Sequence, residues 1–209
     1  MKSKSAPTQP FRRERGRKRV ESLLRSAERV FAEVGYERAT TNLIAERASA
    51  SPGTLYQFFS NKQEMAEEIA HRYAKRLRAI QSETMVALEP RHPHKEIDRV
   101  VDAYLEFLRA APAFGMLLET IEISREVSAV RKILLDSAIQ WITQIIAALV
   151  PDRSKADQRL HAEVCVMIFR GMTPMLVDRN TRKTARAVAE VKKVIHRYLA
   201  PVLAEHSSR

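Results

Sequence analysis

The sequence predicts an all-α protein in which a small three-helix unit precedes a larger helical body. The chain has only 5 Gly in 209 residues and is rich in Ala, Leu, Glu, Arg and Lys, a composition typical of long helices rather than strands and tight turns. Its hydrophobic fraction of 45% is sufficient for a folded core. Apolar residues also recur at steps of three and four along most of the chain, which is the spacing of one helix face.

Positive charge is concentrated at the N-terminus. The net charge is +11, and residues 1–19 hold eight Lys or Arg against one Glu, a net charge of +7, whereas residues 20–62 hold five of each sign. Such a tail is either solvated and disordered, or an arm that lies along phosphates or in a minor groove. We assign residues 1–15 to a disordered basic arm, with Arg12 and Arg13 as its candidate DNA contacts.

The first two helices follow from periodicity and capping. From Arg17 a single apolar face runs to Val34, and Gly35 then provides a stop. A second helix begins after Thr40-Thr41, because either hydroxyl can accept a hydrogen bond from a free amide at the helix start.

A short third helix and a long fourth helix follow. Ser51 can cap the third helix and Pro52 suits its first position, so we expect a helix from Pro52 to Phe59. Ser60 and Gln63 are spaced as a capping box for a helix that runs to about Leu88. Further helices are predicted at about 94–110, 113–123, 126–149, 155–178 and 182–204. We therefore divide the chain into a small N-terminal domain, residues 16–62, and a larger helical domain, residues 63–205.

Three helices in about 45 residues, with a four-residue turn between the second and third, are typical of a helix-turn-helix unit. Within this unit the chain carries the pattern Thr40-Thr41-x-x-Ile44-Ala45-x-x-Ala48-x-x-Ser51-x-Gly53-Thr54-Leu55-Tyr56-x-x-Phe59-x-x-Lys62-x-x-Met65. This pattern resembles the signature of the tetracycline-repressor (TetR) family, and the resemblance covers about residues 20–67. The sequence departs from the family at Ser49, where a turn glycine is usual, and at Pro52, where a basic residue is common.

The resemblance implies a ligand-responsive DNA-binding regulator, most simply a repressor that binds a palindromic double-stranded DNA operator. It places Thr41, Tyr56 and Lys62 on the phosphate backbone. From their chemistry, Gln57 can pair with an adenine edge, Gly53 permits close approach of the backbone, and Thr54 can contact a thymine methyl group or a phosphate. The complete set of candidate DNA contacts is Arg12, Arg13, Thr41, Ser51, Pro52, Gly53, Thr54, Tyr56, Gln57, Phe58 and Lys62.

Two alternatives stay open within this set. The hydroxyls of Thr41, Ser51, Thr54 and Tyr56 lie near helix starts, where they can also serve simply as caps. Phe58 can contact thymine methyl groups or be buried in the core of the small domain, to which Leu43, Ile44, Leu55 and Phe59 are assigned.

The body is expected to bind a largely apolar small molecule. The candidate pocket residues are Tyr104, Phe107, Phe114, Met116, Leu117, Trp141 and Arg170. Arg170 interrupts an apolar stretch, so its default interpretation is a partly buried ion pair with Glu119 or Glu122, and an anionic ligand is the alternative. His92 and His94 lack a nearby Cys or carboxylate cluster, so neither a metal nor a cofactor is expected.

The last two predicted helices each carry a long apolar stripe, which predicts a four-helix interface between two copies of the chain. Internal packing of a monomer is the alternative. A homodimer is favoured because the short third helix, which would enter the major groove and has no Lys or Arg, can recognise too few base pairs by itself. The candidate interface residues are Val164, Ile168, Gly171, Met175, Val191, Ile195 and Tyr198.

Other functional classes receive less support. The chain carries no Gly-rich phosphate loop and no nucleophile elbow, which argues against an enzyme. A helical partner-binding protein and a ligand-dependent activator remain alternatives. The single Cys165 is typical of a protein in a reducing cytoplasm. No apolar segment follows the basic N-terminus, and Arg170 interrupts the most apolar later stretch, so neither export nor a membrane span is expected and the protein is predicted to be cytoplasmic.

Overall fold

The computed structural model describes residues 9–119, 125–177 and 181–207. Within those ranges every regular element is a helix, which confirms the predicted all-α fold. The helices are α1 Gln9–Arg38, α2 Thr41–Arg47, α3 Pro52–Tyr56, α4 Lys62–Val86, α5 Pro93–Arg109, α6 Phe114–Glu119, α7 Arg125–Leu149, α8 Lys155–Leu176 and α9 Thr181–Ser207.

Helix α1 begins eight residues before the predicted start at Arg17, so residues 9–15 of the predicted arm are helical. Residues 1–8, and the side chains of Arg12 and Arg13, lie outside the described residues. Gly35 breaks α1 as predicted, because its φ of 79° lies in the left-handed region. One further turn then reaches Arg38.

The predicted caps of α2 and α3 are confirmed. Thr40 Oγ1 accepts a hydrogen bond from the Leu43 amide at 3.1 Å, and Ser51 Oγ accepts one from the Thr54 amide at 3.1 Å. Helix α3 ends at Tyr56 rather than at the predicted Phe59. Leu55 and Phe59 are buried in the core of the small domain, together with Ile44 from α2, as predicted.

The cap of α4 lies one residue later than predicted. Asn61, not Ser60, is the N-cap, and its Oδ1 accepts from the Glu64 amide at 2.9 Å. Glu64 Oε2 in turn accepts from the Ser60 amide at 2.7 Å. The predicted Ser60–Gln63 pair is therefore wrong, and Gln63, which is half-buried, instead donates to Glu67 one turn further along α4.

Helix α4 joins the small domain to the body. Its first turns bury Met65 and Ile69 against α1, and its later turns bury Tyr73 and Leu77 against the helices of the body. The buried side chains therefore form one continuous core across the predicted domain boundary between residues 62 and 63. A displacement of α4 would thus affect both the small domain and the body.

The segment Arg131–Leu149 of α7 is long and apolar enough to cross a membrane by length and composition. Four of its apolar residues, Leu134, Ile139, Trp141 and Ile145, are buried inside the protein, whereas Ile133 is 53% exposed. This is the pattern of an amphipathic helix that packs one face against the core of the protein.

Ser49, which occupies the turn between α2 and α3, is the one non-glycine residue with positive φ among the described residues, at 49°. This backbone disfavours a residue with a Cβ by about 1–2 kcal/mol, whereas glycine loses about 0.5–1 kcal/mol more conformational entropy on folding. We therefore expect Ser49→Gly to raise the free energy of unfolding by about 0.5 kcal/mol, measured by urea denaturation. Ser49→Ala keeps the Cβ and serves as the control, and equal stability of the two variants would contradict the strain.

Candidate DNA-binding surface and ligand cavity

One side of α3 carries exposed residues that the sequence predicts to contact DNA. Pro52, Gly53, Tyr56 and Gln57 are all exposed, and their spacing of one and four residues places them on one helix face. Leu55 points the opposite way, into the core. The sequence did not single out Asn42, which is exposed in the first turn of the neighbouring α2.

A hydrogen bond between side chains connects the two helices at this surface. Thr41 Oγ1 and Tyr56 Oη are 2.9 Å apart, and the Tyr56 side chain is 53% exposed. Each hydroxyl brings one proton, so the pair uses one and leaves the other for an acceptor such as a phosphate oxygen. The bond therefore fixes the position of Tyr56 without consuming its capacity to bind.

The Ser51 hydroxyl has a local role. Besides capping α3, Ser51 Oγ lies 2.9 Å from Thr54 Oγ1. This is the capping alternative left open by the sequence, and the phosphate contacts of these two residues stay predictions. Phe58 is half-buried, and its ring lies beside α1, where a Cβ built on Gly16 would be 3.9 Å from Phe58 Cε1. Its position favours packing against the core over a thymine contact.

Gly53 has room for a side chain in the free protein, because the nearest atom to a Cβ built there is Ser51 Oγ at 3.9 Å. Alanine also favours the helix by about 0.5–1 kcal/mol. We therefore expect Gly53→Ala to raise the unfolding temperature slightly yet to weaken operator binding at least tenfold, because the methyl group holds the backbone away from the duplex. Parallel thermal melts and DNA titrations check this. Unchanged operator affinity would show that the Gly53 backbone does not approach the duplex closely.

The Lys62 ammonium does not face the exposed surface. Its Nζ donates to the carbonyl oxygens of Tyr36, Glu37 and Ala39 at 2.8, 3.0 and 3.1 Å. It also lies 4.5 Å from the centre of the Tyr36 ring. An ammonium has three protons, and all three are used here.

In the free protein the Lys62 ammonium is therefore bound by its own chain, and its predicted phosphate contact stays a prediction. The lysine caps the C-terminal end of α1, where carbonyls and the helix dipole attract a cation. In doing so it fixes the start of α4 against α1 and so helps to position the helix-turn-helix domain.

A cavity of about 580 Å³ lies in the body among α4, α5, α6, α7 and α8. Four of the predicted pocket residues line it: Tyr104, Phe114, Trp141 and Arg170. The other three, Phe107, Met116 and Leu117, do not. Phe107 is fully buried one layer behind the wall, where its ring contacts those of Tyr73 and Phe114.

The polar groups at the cavity differ in their surroundings. Burial raises the pKa of Tyr104 to about 12, although a hydrogen bond with Thr173 acts in the opposite direction. Arg170 is exposed rather than partly buried as predicted. Its predicted partners Glu119, by its side chain, and Glu122 lie outside the described residues, so the ion pair stays a prediction.

A polar connection that the sequence did not indicate leads from the cavity wall to α1. The ring of Phe114 packs against that of Tyr73, with 5.9 Å between the centroids. The Tyr73 hydroxyl accepts from the Ala113 amide at 3.3 Å and donates to the Glu28 carboxylate on α1. Burial raises the pKa of Glu28, and the hydrogen bond from Tyr73 partly offsets this. Isolated polar residues on helix faces look solvated in sequence, which is why this pair was missed.

Comparison with known proteins decides the family. Residues 23–69 match the model of bacterial regulatory proteins of the tetR family, and residues 93–199, about half of the chain, match the model of the tetracyclin repressor-like C-terminal domain. The chain belongs to the TetR family.

Relatives and solved structures agree with this assignment. The chain is 28% identical to the uncharacterized HTH-type transcriptional regulator YhgD of Bacillus subtilis (strain 168) over 65% of this chain and 66% of that protein. The regulator PfmR of Thermus thermophilus has a similar fold, with a TM-score of 0.69 and 23% identity over 84% of this chain and 97% of that one. The SmeT–triclosan complex matches with a TM-score of 0.66 and 18% identity, over 88% and 91% of the chains.

As a TetR-family protein the chain is a transcriptional regulator with a DNA-binding helix-turn-helix domain, and regulators of this family bind operators, dimerise and bind small molecules. The predicted dimer residues on α9 require correction. Val191 is 0% and Ile195 3% exposed, because both pack inside their own chain, so neither can contact a second copy directly. Tyr198 is half-buried and hydrogen-bonded to His161 at 2.8 Å.

An exposed apolar stripe lies on α8 instead. Gly171 and Met175 belong to it as predicted, and Leu160 and Met167 extend it at helical spacing. Val164 and Ile168 are half-buried beside it, and Val194 on α9 is also exposed. We call Leu160, Met167, Gly171 and Met175 the α8 stripe.

His94 pairs with a residue that the sequence did not suggest. Its Nδ1 lies 3.1 Å from Nδ1 of His196 on α9, and His196 Nε2 lies 3.1 Å from an Asp98 oxygen. These contacts connect α5 to α9. Among the described residues no group of three His, Cys, Asp or Glu is arranged to hold a metal ion.

Proposed function

We propose that this TetR-family regulator is a cytoplasmic repressor whose homodimer binds a palindromic operator and releases it when a small molecule enters the cavity. Residues 16–62 form the DNA-reading domain and residues 63–205 the sensing and dimerising domain, with residues 1–15 as a basic extension. The observation that carries the proposal is the exposed face of α3, on which Gly53 and Gln57 are free to approach bases. The SmeT–triclosan complex, a related fold with a bound small molecule, supports the ligand response.

The contacts divide by chemistry. Tyr56, held by Thr41, binds a phosphate and fixes the orientation of α3, and Ser51 and Thr54 lie beside it at the helix start. Gln57 reads an adenine edge. Arg12 and Arg13 add charge from α1. Pro52 provides an apolar surface where a cation is common in the family.

Induction follows the polar connection between the cavity and α1. A ligand that displaces Phe114 moves the ring of Tyr73 on α4, whose hydroxyl bonds to Ala113, immediately before α6, and to Glu28 on α1. A tilt of α4 then changes the separation of the two reading surfaces in the dimer. In the ligand-bound dimer the separation of these two surfaces therefore no longer matches the spacing of the two half-sites of the operator.

Tyr73→Phe tests this route. The ring contacts are kept and only the hydroxyl is lost, so we expect operator affinity without effector to change little and effector-driven release to weaken by at least fivefold, since allosteric couplings are typically about 1–3 kcal/mol. Thr84→Val removes another buried hydroxyl of α4, which donates to Ile80 of the same helix and lies outside both the route and the cavity lining, and it serves as the control. Undiminished release in the Tyr73 variant would exclude the route.

Selection of bound fragments from sheared genomic DNA tests the proposed function. We expect a few fragments that share a palindrome and lie upstream of genes, and expression of those genes should rise when the regulator gene is deleted. Gln57→Ala should relax the preference at one base position in each half-site, whereas Tyr56→Ala should weaken binding to all sequences. Lower expression on deletion would favour an activator, and the absence of any selected fragment would favour a partner-binding protein.

A further inference from the structure

We propose that the cavity binds an anionic amphiphile, an elongated apolar molecule with a single carboxylate or phosphate head group. This inference rests on the proposed function, since it concerns the same cavity, and it adds the chemical class of the effector. It follows from the unequal distribution of charge over the cavity lining.

The deep part of the cavity is apolar. Its lining includes Leu77, Phe114, Leu134 and Trp141, all of which are buried. Tyr104 adds a hydroxyl that is already bonded to Thr173. A charged group placed here would lose its hydration and meet no opposite charge, whereas a hydrocarbon chain gains from leaving water. The buried Trp141 indole N–H, which has no hydrogen-bond partner, is the polar exception in this part of the lining.

The charged lining residues are all cations. Arg131 and Lys132 come from α7 and Arg170 from α8, and no Asp or Glu is among the described residues that line the cavity. Lys132 and Arg170 are exposed and Arg131 is half-buried, so these side chains lie toward the solvent side of the cavity. Such a set attracts an anionic head and repels a cationic one.

The cations also share one end of the cavity. Residues 150–154 alone connect α7 to α8, so the two helices run antiparallel. The early part of α7, with Arg131 and Lys132, therefore lies opposite the late part of α8, with Arg170. Trp141 lies more than two turns further along α7, toward the apolar end. One charged end and one apolar end define an amphiphile.

The volume limits the size of the ligand. At roughly 30 Å³ per water-sized group, the cavity of about 580 Å³ has room for roughly 19 non-hydrogen atoms. A chain of about twelve carbons with its head group fits within that volume, so dodecyl compounds are suitable probes.

The experiment exploits Trp141, the single tryptophan of the chain, whose side chain lines the cavity. Its emission is followed while the full-length protein is titrated, below the critical micelle concentration, with dodecanoate, dodecyl phosphate, dodecanol and dodecylammonium. We expect at least one of the two anions to bind at least tenfold more tightly than dodecanol, and dodecylammonium to bind more weakly than dodecanol. The two anions distinguish a carboxylate site from a phosphate site.

Substitutions then locate the head group. The double variant Lys132→Gln and Arg170→Gln should lose most of the preference for the anion over dodecanol, whereas Lys75→Gln, an exposed cation on α4 outside the lining, should keep it. Equal or tighter binding of dodecanol or dodecylammonium, no binding of either anion, or an unchanged preference in the double variant would overturn the proposal.

Operator release is measured separately, so that the two proposals can fail independently. Release by a neutral compound without binding of either anion would overturn the ligand class and leave the repressor function standing. Anion binding at Trp141 in a protein that binds no operator would support the ligand class and overturn the repressor function.

Discussion

Lys62→Met is expected to lower the free energy of unfolding by about 3 kcal/mol and to abolish operator binding. Its ammonium donates to three carbonyl oxygens at the end of α1. Hydrogen bonds from charged groups contribute about 1.5–3 kcal/mol each. Part of this is recovered in the variant, because the Tyr36 carbonyl still accepts from the Ala39 amide at 3.2 Å and water can reach the exposed Glu37 carbonyl. Urea denaturation and DNA titration measure the two effects. Lys75→Met, an exposed lysine on the same helix, is the matched control and should change neither quantity appreciably.

Lys62→Arg separates this role from a phosphate contact. Arginine keeps the positive charge, but its planar guanidinium cannot direct three protons at three converging carbonyls. We expect this variant to be destabilised nearly as much as Lys62→Met. Unchanged stability and an unchanged salt dependence of DNA binding in Lys62→Arg, with a slope smaller by about one unit in Lys62→Met, would instead assign Lys62 to a phosphate.

Met167→Glu is expected to convert the protein into a monomer and to weaken operator binding by roughly 100-fold or more, because one short reading helix contacts a single half-site. Met167 lies in the α8 stripe and is 44% exposed, so the carboxylate is solvated in the monomer but desolvated in a dimer interface. The measurements are sedimentation equilibrium at micromolar concentration and DNA titration.

Val86→Glu is the matched control for this substitution. Val86 is 88% exposed near the end of α4, outside the α8 stripe, so the same charge should leave both assembly and DNA binding intact. If the Met167→Glu protein is still a dimer and binds its operator normally, the α8 stripe is not part of the dimer interface.

Local chemistry made much of the small domain predictable. Thr40 and Ser51 cap helices because a hydroxyl next to free amides is favourable whatever the rest of the fold, and Gly35 breaks α1 for a similarly local reason. The cap of α4 was placed one residue early because Ser60 and Asn61 are both good caps. Only the backbone, extended at Asn61, decides between them.

Distant contacts were not predictable. The carbonyl partners of Lys62 are 23 to 26 positions away in sequence, and the Tyr73 hydroxyl on α4 bonds to Glu28 on α1 and to Ala113, immediately before α6. An apolar stripe such as that of Val191 and Ile195 looks the same whether its own chain or a second copy covers it. Likewise, Phe107 and Phe114 are both buried aromatic residues, but only Phe114 is at the cavity wall, a difference of one packing layer.

The central claim is that two copies of the α3 face read one palindromic operator. Hydroxyl-radical footprinting of a selected genomic fragment tests it most directly, because the method records which sugars the bound protein covers. We expect two protected regions on one face of the duplex, related by two-fold symmetry and separated by about one helical turn or a multiple of it. Protection of a single half-site, or uniform protection that does not depend on sequence, would contradict the account.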